Sequence, residues 1–436
     1  MKILEQARGV GCRGWTRREM LGLGAVAGMN WLTPLARALA VADERKRDSR
    51  PARSVILLWM AGGPSQLETF DPHPEKPIAY GGKSIQSAIR GVRVGAGLEQ
   101  CAGVMDEVTL VRSVVSKEAD HERAVYQIKT GYRPNPTVVQ PAIGAVICHE
   151  IEDPGFDIPR HISILPDQWP SRGGYIGAQH DAFLVNDPKG PVQDIHSAVP
   201  EGRLTQRMKD LEVIERAFAV GRSPQLELGR TLHRHTMNRA LKIMSSAQLS
   251  AFDVMQASAV QRAVYGETPF GRGCLAALRL IESGVRCVEV TLSGWDTHVN
   301  NHSLQSDRIR VLDPALAALI RDLKQKDLLD STLVLCGGEF GRTPKLNALE
   351  GRDHWPYGFS LVLAGGGIRR GFVKGSTDPE GASKEPMDPV RVEDIHATIQ
   401  HAMGIDPAKE LITPVGRPLA LSEGRVIRDL LVTARV

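Results

Sequence analysis

STLVLCGGEFGRTPKLNALEGRDHWPYGFSLVLAGGGIRRG, residues 331–371, is the stretch whose reading decides the fold. Its two apolar runs, Thr332–Cys336 and Leu361–Ala364, do not alternate with polar residues. That pattern predicts strands buried on both faces, as in a parallel sheet. The first run empties into GGEFGRTP (337–344), and GRDHWP (351–356) immediately precedes the second. A carboxylate at a strand end followed by a histidine on the next loop suits ligand binding at the carboxyl edge of an open α/β sheet.

Further strands are predicted outward from this segment. SVILLWM (54–60) runs into AGGPSQLETFDP (61–72), whose glycines either let the backbone approach a ligand or simply form a turn. Val108–Val114, Ile162–Leu165 and Val285–Leu292 are also apolar enough for buried strands. Between the last two lies a long helical pattern, about Leu204 to Ser283, with breaks near Gly221 and at Gly266–Pro269. The expected architecture is an α/β/α sandwich with a central, mostly parallel sheet, in which residues 204–283 form a helical insertion interrupting the strand order. A chain of 436 residues can hold this as one elaborated domain, placed at 54–436.

The strand after the insertion ends in SGWDTHVNNH (293–302), which supplies Asp296, His298 and His302. A carboxylate and histidines at this spacing match the ligand types of zinc or a similar divalent ion. A parallel sheet would gather Asp296, Glu339 and His354 at one edge. No Lys or Arg immediately adjoins Asp296 or Glu339 in the sequence, so a metal would supply the compensating charge. The expectation is one divalent metal, Zn first, on Asp296, His298 and His354, with Glu339 as a fourth ligand or supporting partner. The alternative is a hydrogen-bonded Asp, His and Glu network without metal. A fourth histidine, His121, opens an amphipathic stretch closed by Gly131 and Pro134.

At the amino terminus, Arg17-Arg18 precedes the apolar run Leu21–Leu32 and the small-residue site Ala38-Leu39-Ala40. These are the parts of a twin-arginine export signal, so residues 1–40 are expected to be removed, 41–53 to be a charged linker, and the mature protein to be periplasmic or otherwise exported. The apolar run is short for a bilayer, and no stable span is expected in the mature form. This leader holds six of the 54 Lys and Arg and two of the 50 Asp and Glu, so the remainder is neutral. Balanced charge gives no reason to expect a nucleic-acid partner. Of six cysteines one lies in the leader, and the remaining five, without a C-x-x-C pair, make neither a disulfide framework nor a zinc framework.

The motifs TRREMLGLG (16–24), ILLWMAGGPSQLETFDP (56–72), TGYRP (130–134), YGETPFGRGCLAALRLIESGVRCVEV (265–290), SGWDTH (293–298), GGEFGRTPKLN (337–347), GRDHWPYGFSLVLAGGGIRRG (351–371) and DIHATIQHAMGID (394–406) run nearly end to end. Together they resemble the bacterial domain-of-unknown-function family 1501, a relative of the alkaline phosphatase and sulfatase superfamily. The resemblance implies an exported, metal-dependent hydrolase of a phosphate or sulfate ester, acting on a small anionic ester or a sulfated or phosphorylated polymer. It also leaves open a non-enzymatic binding or assembly protein on a decayed phosphatase-like fold.

By the same resemblance, Asp296 and His298 match the Asp and His of the first metal site, and His354 matches its later His. Glu339-Phe340 stands where the superfamily has Asp-His, so one ligand of a second metal is missing. His121 stands where the nucleophile belongs and cannot mature to formylglycine. It is the expected catalytic residue, as general acid or base, or else a further ligand. The strand-end Asp is replaced by Ala61-Gly62, with Glu68 or Asp71 the carboxylates that could curl back. Arg123, Arg342 or Lys345 would hold an anionic group, and His396 is expected to pack rather than ligate.

Overall fold

The computed structural model describes residues 51–151, 157–190, 192, 197–219, 237, 240–244 and 246–432. The export signal expected at 1–40 and the helix break expected near Gly221 lie outside them. Pro51–Thr433 form one compact unit. The last residues of the expected linker already belong to it: Ala52 is buried and donates to Ala402 O at 2.9 Å, and Arg53 N–H donates to Ser331 O at 2.8 Å.

The frame is a sheet with nine strands among the described residues. They are β1 (Ser54–Ala61), β2 (Val108–Val115), β3 (His161–Ile164), β4 (Phe183–Val185), β5 (Cys287–Ser293), β6 (Thr332–Gly337), β7 (Phe359–Ala364), β8 (Phe372–Lys374) and β9 (Val390–Arg391). Their spatial order is β8-β2-β7-β6-β1-β5-β3-β4, with β9 also pairing β2. Alternating residues of β1 serve two separate cores. Ile56, Leu58 and Met60 join one with α4 (Pro269–Glu282) and α5 (Asn301–Gln325). Val55 and Leu57 join the other with α2 (Ile143–Glu150) and α6 (Val392–Ala402). Helices on both faces are why the strands read as continuous apolar runs. The chain is an α/β/α sandwich, as its sequence predicts.

Strand direction departs from expectation at one place. β7 is antiparallel to both neighbours, β6 and β2, whereas the run 361–364 reads as parallel. A strand buried on both faces is apolar whichever way it runs, so composition carries no sign of direction. The reversal brings His354, which precedes β7, to the edge where β1, β5 and β6 end.

Helix boundaries follow their capping residues. Asp120 accepts from Arg123 N–H to start α1 (His121–Thr130), and Gly131 ends it with a left-handed φ of 77°. Thr268 caps α4, with Pro269 in its first turn. Within the region expected to be a helical insertion, α3 (Glu201–Ala219) and α4 are the longest described helices, and α4 packs on α5 and β5.

Candidate metal centre

Four loops meet at the carboxyl edge. Asp296 and His298 follow β5, Glu339 follows β6, His354 precedes β7 and His121 is the first residue of α1. The loop after β1 packs against them: a Cβ on Gly62, at φ 114°, would stand 2.5 Å from Asp296 N. The glycines therefore permit a close approach, here to the Trp295–Asp296 backbone. Gly62 N–H also donates to Glu339 Oε1 at 2.9 Å. His354–Trp355 pairs with Gly341–Arg342 in a short antiparallel ladder, which fixes His354 beside the Glu339 loop.

Asp296 Oδ1 lies 3.2 Å from His298 Nε2 and 3.5 Å from His354 Nε2, and the two nitrogens are 3.0 Å apart. Donors at about 2.0 to 2.2 Å from one ion stand roughly 3 to 4 Å from one another, so this triangle has the size of a coordination face. His121 also offers an atom within 4.8 Å of Asp296 and His354. The outer side of each ring is tied: His298 Nδ1 to Asp353 Oδ1 at 2.9 Å, His354 Nδ1 to Ala119 O at 2.7 Å. A carbonyl only accepts, and so does an ionised carboxylate, so each Nδ1 carries the hydrogen and each neutral ring turns an Nε2 lone pair inward. Metal-ligating histidines are held in the same way.

Glu339 is 1% exposed, and its Oε1 accepts from His121 Nδ1 at 2.7 Å. Glu339 Oε2 and His121 Nε2 are buried without a hydrogen-bond partner, although Nε2 lies 3.4 Å from Asp296 Oδ2. Burial opposes charging His121, but the negative charge of Asp296 beside Nε2 and the hydrogen bond and charge of Glu339 at Nδ1 outweigh it and push its pKa up to about 9. Burial likewise disfavours the Asp296 anion. The facing His121 and His354 rings and the Arg342 guanidinium, which donates to Oδ1, prevail and hold its carboxyl below the usual range.

Arg342 corrects two expectations. It is wholly buried, so it does not receive an external anion, and its Nη2 donates to Asp296 Oδ1 at 2.6 Å. Positive charge thus adjoins Asp296 without any metal, although nothing beside Asp296 in the sequence provides it. Arg123 is bound to Glu118 at 2.7 and 3.0 Å, while Lys345 is exposed.

Neither Glu68 nor Asp71 replaces the absent strand-end Asp. Glu68 pairs with Arg352 and with His302, which takes His302 out of the centre, while Asp71 binds Thr377 and faces Arg112. His396 is buried with Nε2 at 2.8 Å from Ile128 O, a packing position. Asp353 and the Ala119 carbonyl were missed as partners. Asp353 is adjacent to His354 in GRDHWP, which was a usable signal, whereas a backbone carbonyl leaves none.

An α/β/α sandwich with a His, Asp and Glu cluster at its carboxyl edge is the class that fold and site define. The chain belongs to the protein family of unknown function DUF1501, whose model matches residues 52–431. No curated protein matches its sequence. Solved structures similar to it include the PsFucS1 sulfatase from Pseudoalteromonas sp., at 12% identity and TM-score 0.38, covering 85% of this chain and 72% of that one. Another is the C-terminal periplasmic domain of EcEptC from Escherichia coli in complex with Zn, at 8% identity and TM-score 0.39, covering 89% and 94%. A TAB5 alkaline phosphatase mutant with Mg bound is similar at 12% identity and TM-score 0.37, covering 82% and 99%.

Proposed function

We propose that the protein is an exported, metal-dependent hydrolase of a phosphate or sulfate ester, with one divalent ion, Zn first, held by Asp296, His298 and His354. The observation that carries this reading is the triangle of 3.0, 3.2 and 3.5 Å between three inward-facing donor atoms. Glu339 would support the centre through Oε1, which accepts from Gly62 N–H and His121 Nδ1, and it offers the unpartnered Oε2. When bound, such an ion supplies Lewis-acid polarisation of the ester and acidified water.

The remaining chemistry falls to the chain's own residues. His121 handles the proton as general acid or base: Nδ1 is anchored on Glu339 and Nε2 is left without a partner beside Asp296 Oδ2. Asp353 and the Ala119 carbonyl keep the two ligand rings in the tautomer that turns Nε2 inward. Substrates would be small anionic esters or esterified groups on a sulfated or phosphorylated polymer.

A second reading, a binding or assembly protein without catalysis, is favoured by one observation. Arg342 already gives Asp296 a counter-charge, so the cluster can persist as a hydrogen-bonded network. Elemental analysis of protein exported through its own leader, paired with turnover of aryl phosphate and aryl sulfate, separates the two. Stoichiometric metal with turnover supports the hydrolase. Metal-free protein, inactive on both esters before and after Zn2+ addition, supports the second reading.

A further inference from the structure

Arg342 spends every nitrogen of its side chain inside the protein. Nε donates to Gly63 O at 2.8 Å, Nη1 to Arg352 O at 3.0 Å, and Nη2 both to Gly62 O and to Asp296 Oδ1, the latter at 2.6 Å. Three of these acceptors are carbonyls of loops that surround the centre, and the fourth is a carboxylate oxygen of the centre itself. A guanidinium buried against carbonyls alone would keep an uncompensated charge, so Arg342 needs Asp296. The dependence also runs the other way. The Asp296 side chain is 46% exposed, so a firm donor on its protein side restricts its rotation about χ1 and χ2.

We infer that Arg342 is a positioning residue for the metal centre: it pins Oδ1 from the protein side and so fixes the plane in which Asp296 meets an ion beside His298 and His354. This rests on the metal reading above. Repulsion between a guanidinium and a divalent ion works against binding. The Arg342 charge, however, is already met by the Asp296 carboxylate and three carbonyl dipoles. Pinned geometry therefore sets the sign, and loss of Arg342 weakens binding.

The fold supplies its own control. Arg352 is equally buried and donates to Thr343 O, Pro344 O and Ile78 O at 2.6 to 2.8 Å, with Glu68 as its carboxylate partner, but it makes no side-chain contact with a ligand of the centre. The full chain, stripped by chelator, is titrated with Zn2+ and Co2+ as wild type, Arg342→Lys and Arg352→Lys. Arg342→Lys is expected to raise the metal Kd about 10- to 100-fold and to alter the visible Co2+ spectrum, while Arg352→Lys stays within about threefold, even though both lower Tm.

A wild-type Kd and spectrum in Arg342→Lys overturns the inference alone, as does equal weakening by Arg352→Lys. Wild-type protein that takes up no metal overturns the functional reading and this inference together. Arg342→Gln, which keeps a donor without the charge, carries the same expectation should the lysine variant not fold.

Discussion

The Nε2 atoms of His298 and His354 face one another at 3.0 Å while both Nδ1 atoms are engaged elsewhere, by Asp353 and by the Ala119 carbonyl. Two inward lone pairs at that distance repel unless a proton or a cation lies between them. A divalent ion of the kind proposed would remove that repulsion, with Asp296 as its third ligand. His354→Ala should therefore lower the affinity for Zn2+ by more than about 100-fold, beyond what an outer partner contributes. His302→Ala should leave it unchanged, because that ring turns to Glu68 at 3.2 Å. Metal content equal to wild type in His354→Ala would remove the proposed centre.

Asp353 Oδ1 meets His298 Nδ1 at 2.9 Å, so its effect should appear through His298. Asp353→Ala is expected to weaken metal binding about 10- to 100-fold by releasing the His298 ring. Competition titration against a chelator of known affinity measures this. A change below threefold would show that the Nδ1 contact does not hold the ring.

His396 makes stability depend on acid. Burial, only partly offset by the Ile128 carbonyl, lowers its pKa from 6.5 to about 4. Between those values the unfolded chain binds a proton that the folded chain refuses, so stability falls as pH drops through 6.5 and levels off below 4. Relative to pH 7, the loss at pH 4 from this group amounts to about 3 kcal/mol. Urea titrations at the two pH values should show a smaller acid loss in His396→Gln than in wild type, and equal losses would refute the assignment.

Gly62→Ala tests the approach of the β1 loop to the centre. At φ 114° any side chain is strained, and the new Cβ would stand 2.5 Å from Asp296 N. The backbone term alone costs about 1–3 kcal/mol, and displacement of Asp296 should add weaker metal binding. Thermal melts and metal titrations read the two effects separately. Wild-type values in both would show that the loop tolerates a side chain.

Export is tested by Arg17→Lys with Arg18→Lys. The double variant should remain as precursor in the cytoplasmic fraction, since a twin-arginine leader is recognised by this pair. Unimpeded export on cell fractionation would exclude the pathway.

The sandwich was legible because burial on both faces leaves long apolar runs such as SVILLWM and TLVLC, which few other architectures require. Strand ends then placed Asp296 and Glu339 at one edge from sequence, whereas His354, which precedes β7, reaches that edge only because β7 runs antiparallel. The direction of β7 was not legible, since a doubly buried strand has the same composition either way. Arg342 was legible only as a loose cation in GGEFGRTP. Its partners, Gly62, Gly63, Asp296 and the Arg352 carbonyl, come from separate loops that only the folded sheet brings together. His302 shows the converse: in SGWDTHVNNH it stands with Asp296 and His298 among ligand-type residues, but the first turn of α5 carries it to Glu68.

The reversed strand β7 also shapes how the centre is encoded. Because β7 pairs antiparallel with β6, the chain leaves the sheet and returns to it at the same edge, without the crossover that a parallel neighbour demands. Glu339, Arg342, Asp353 and His354 all lie on that one excursion, whose two ends are held side by side by the β6–β7 pairing. Half of the centre is thus a cassette, exchangeable between β6 and β7 as a single segment, while Asp296 and His298 stay behind as fixed sockets on the far side of β1.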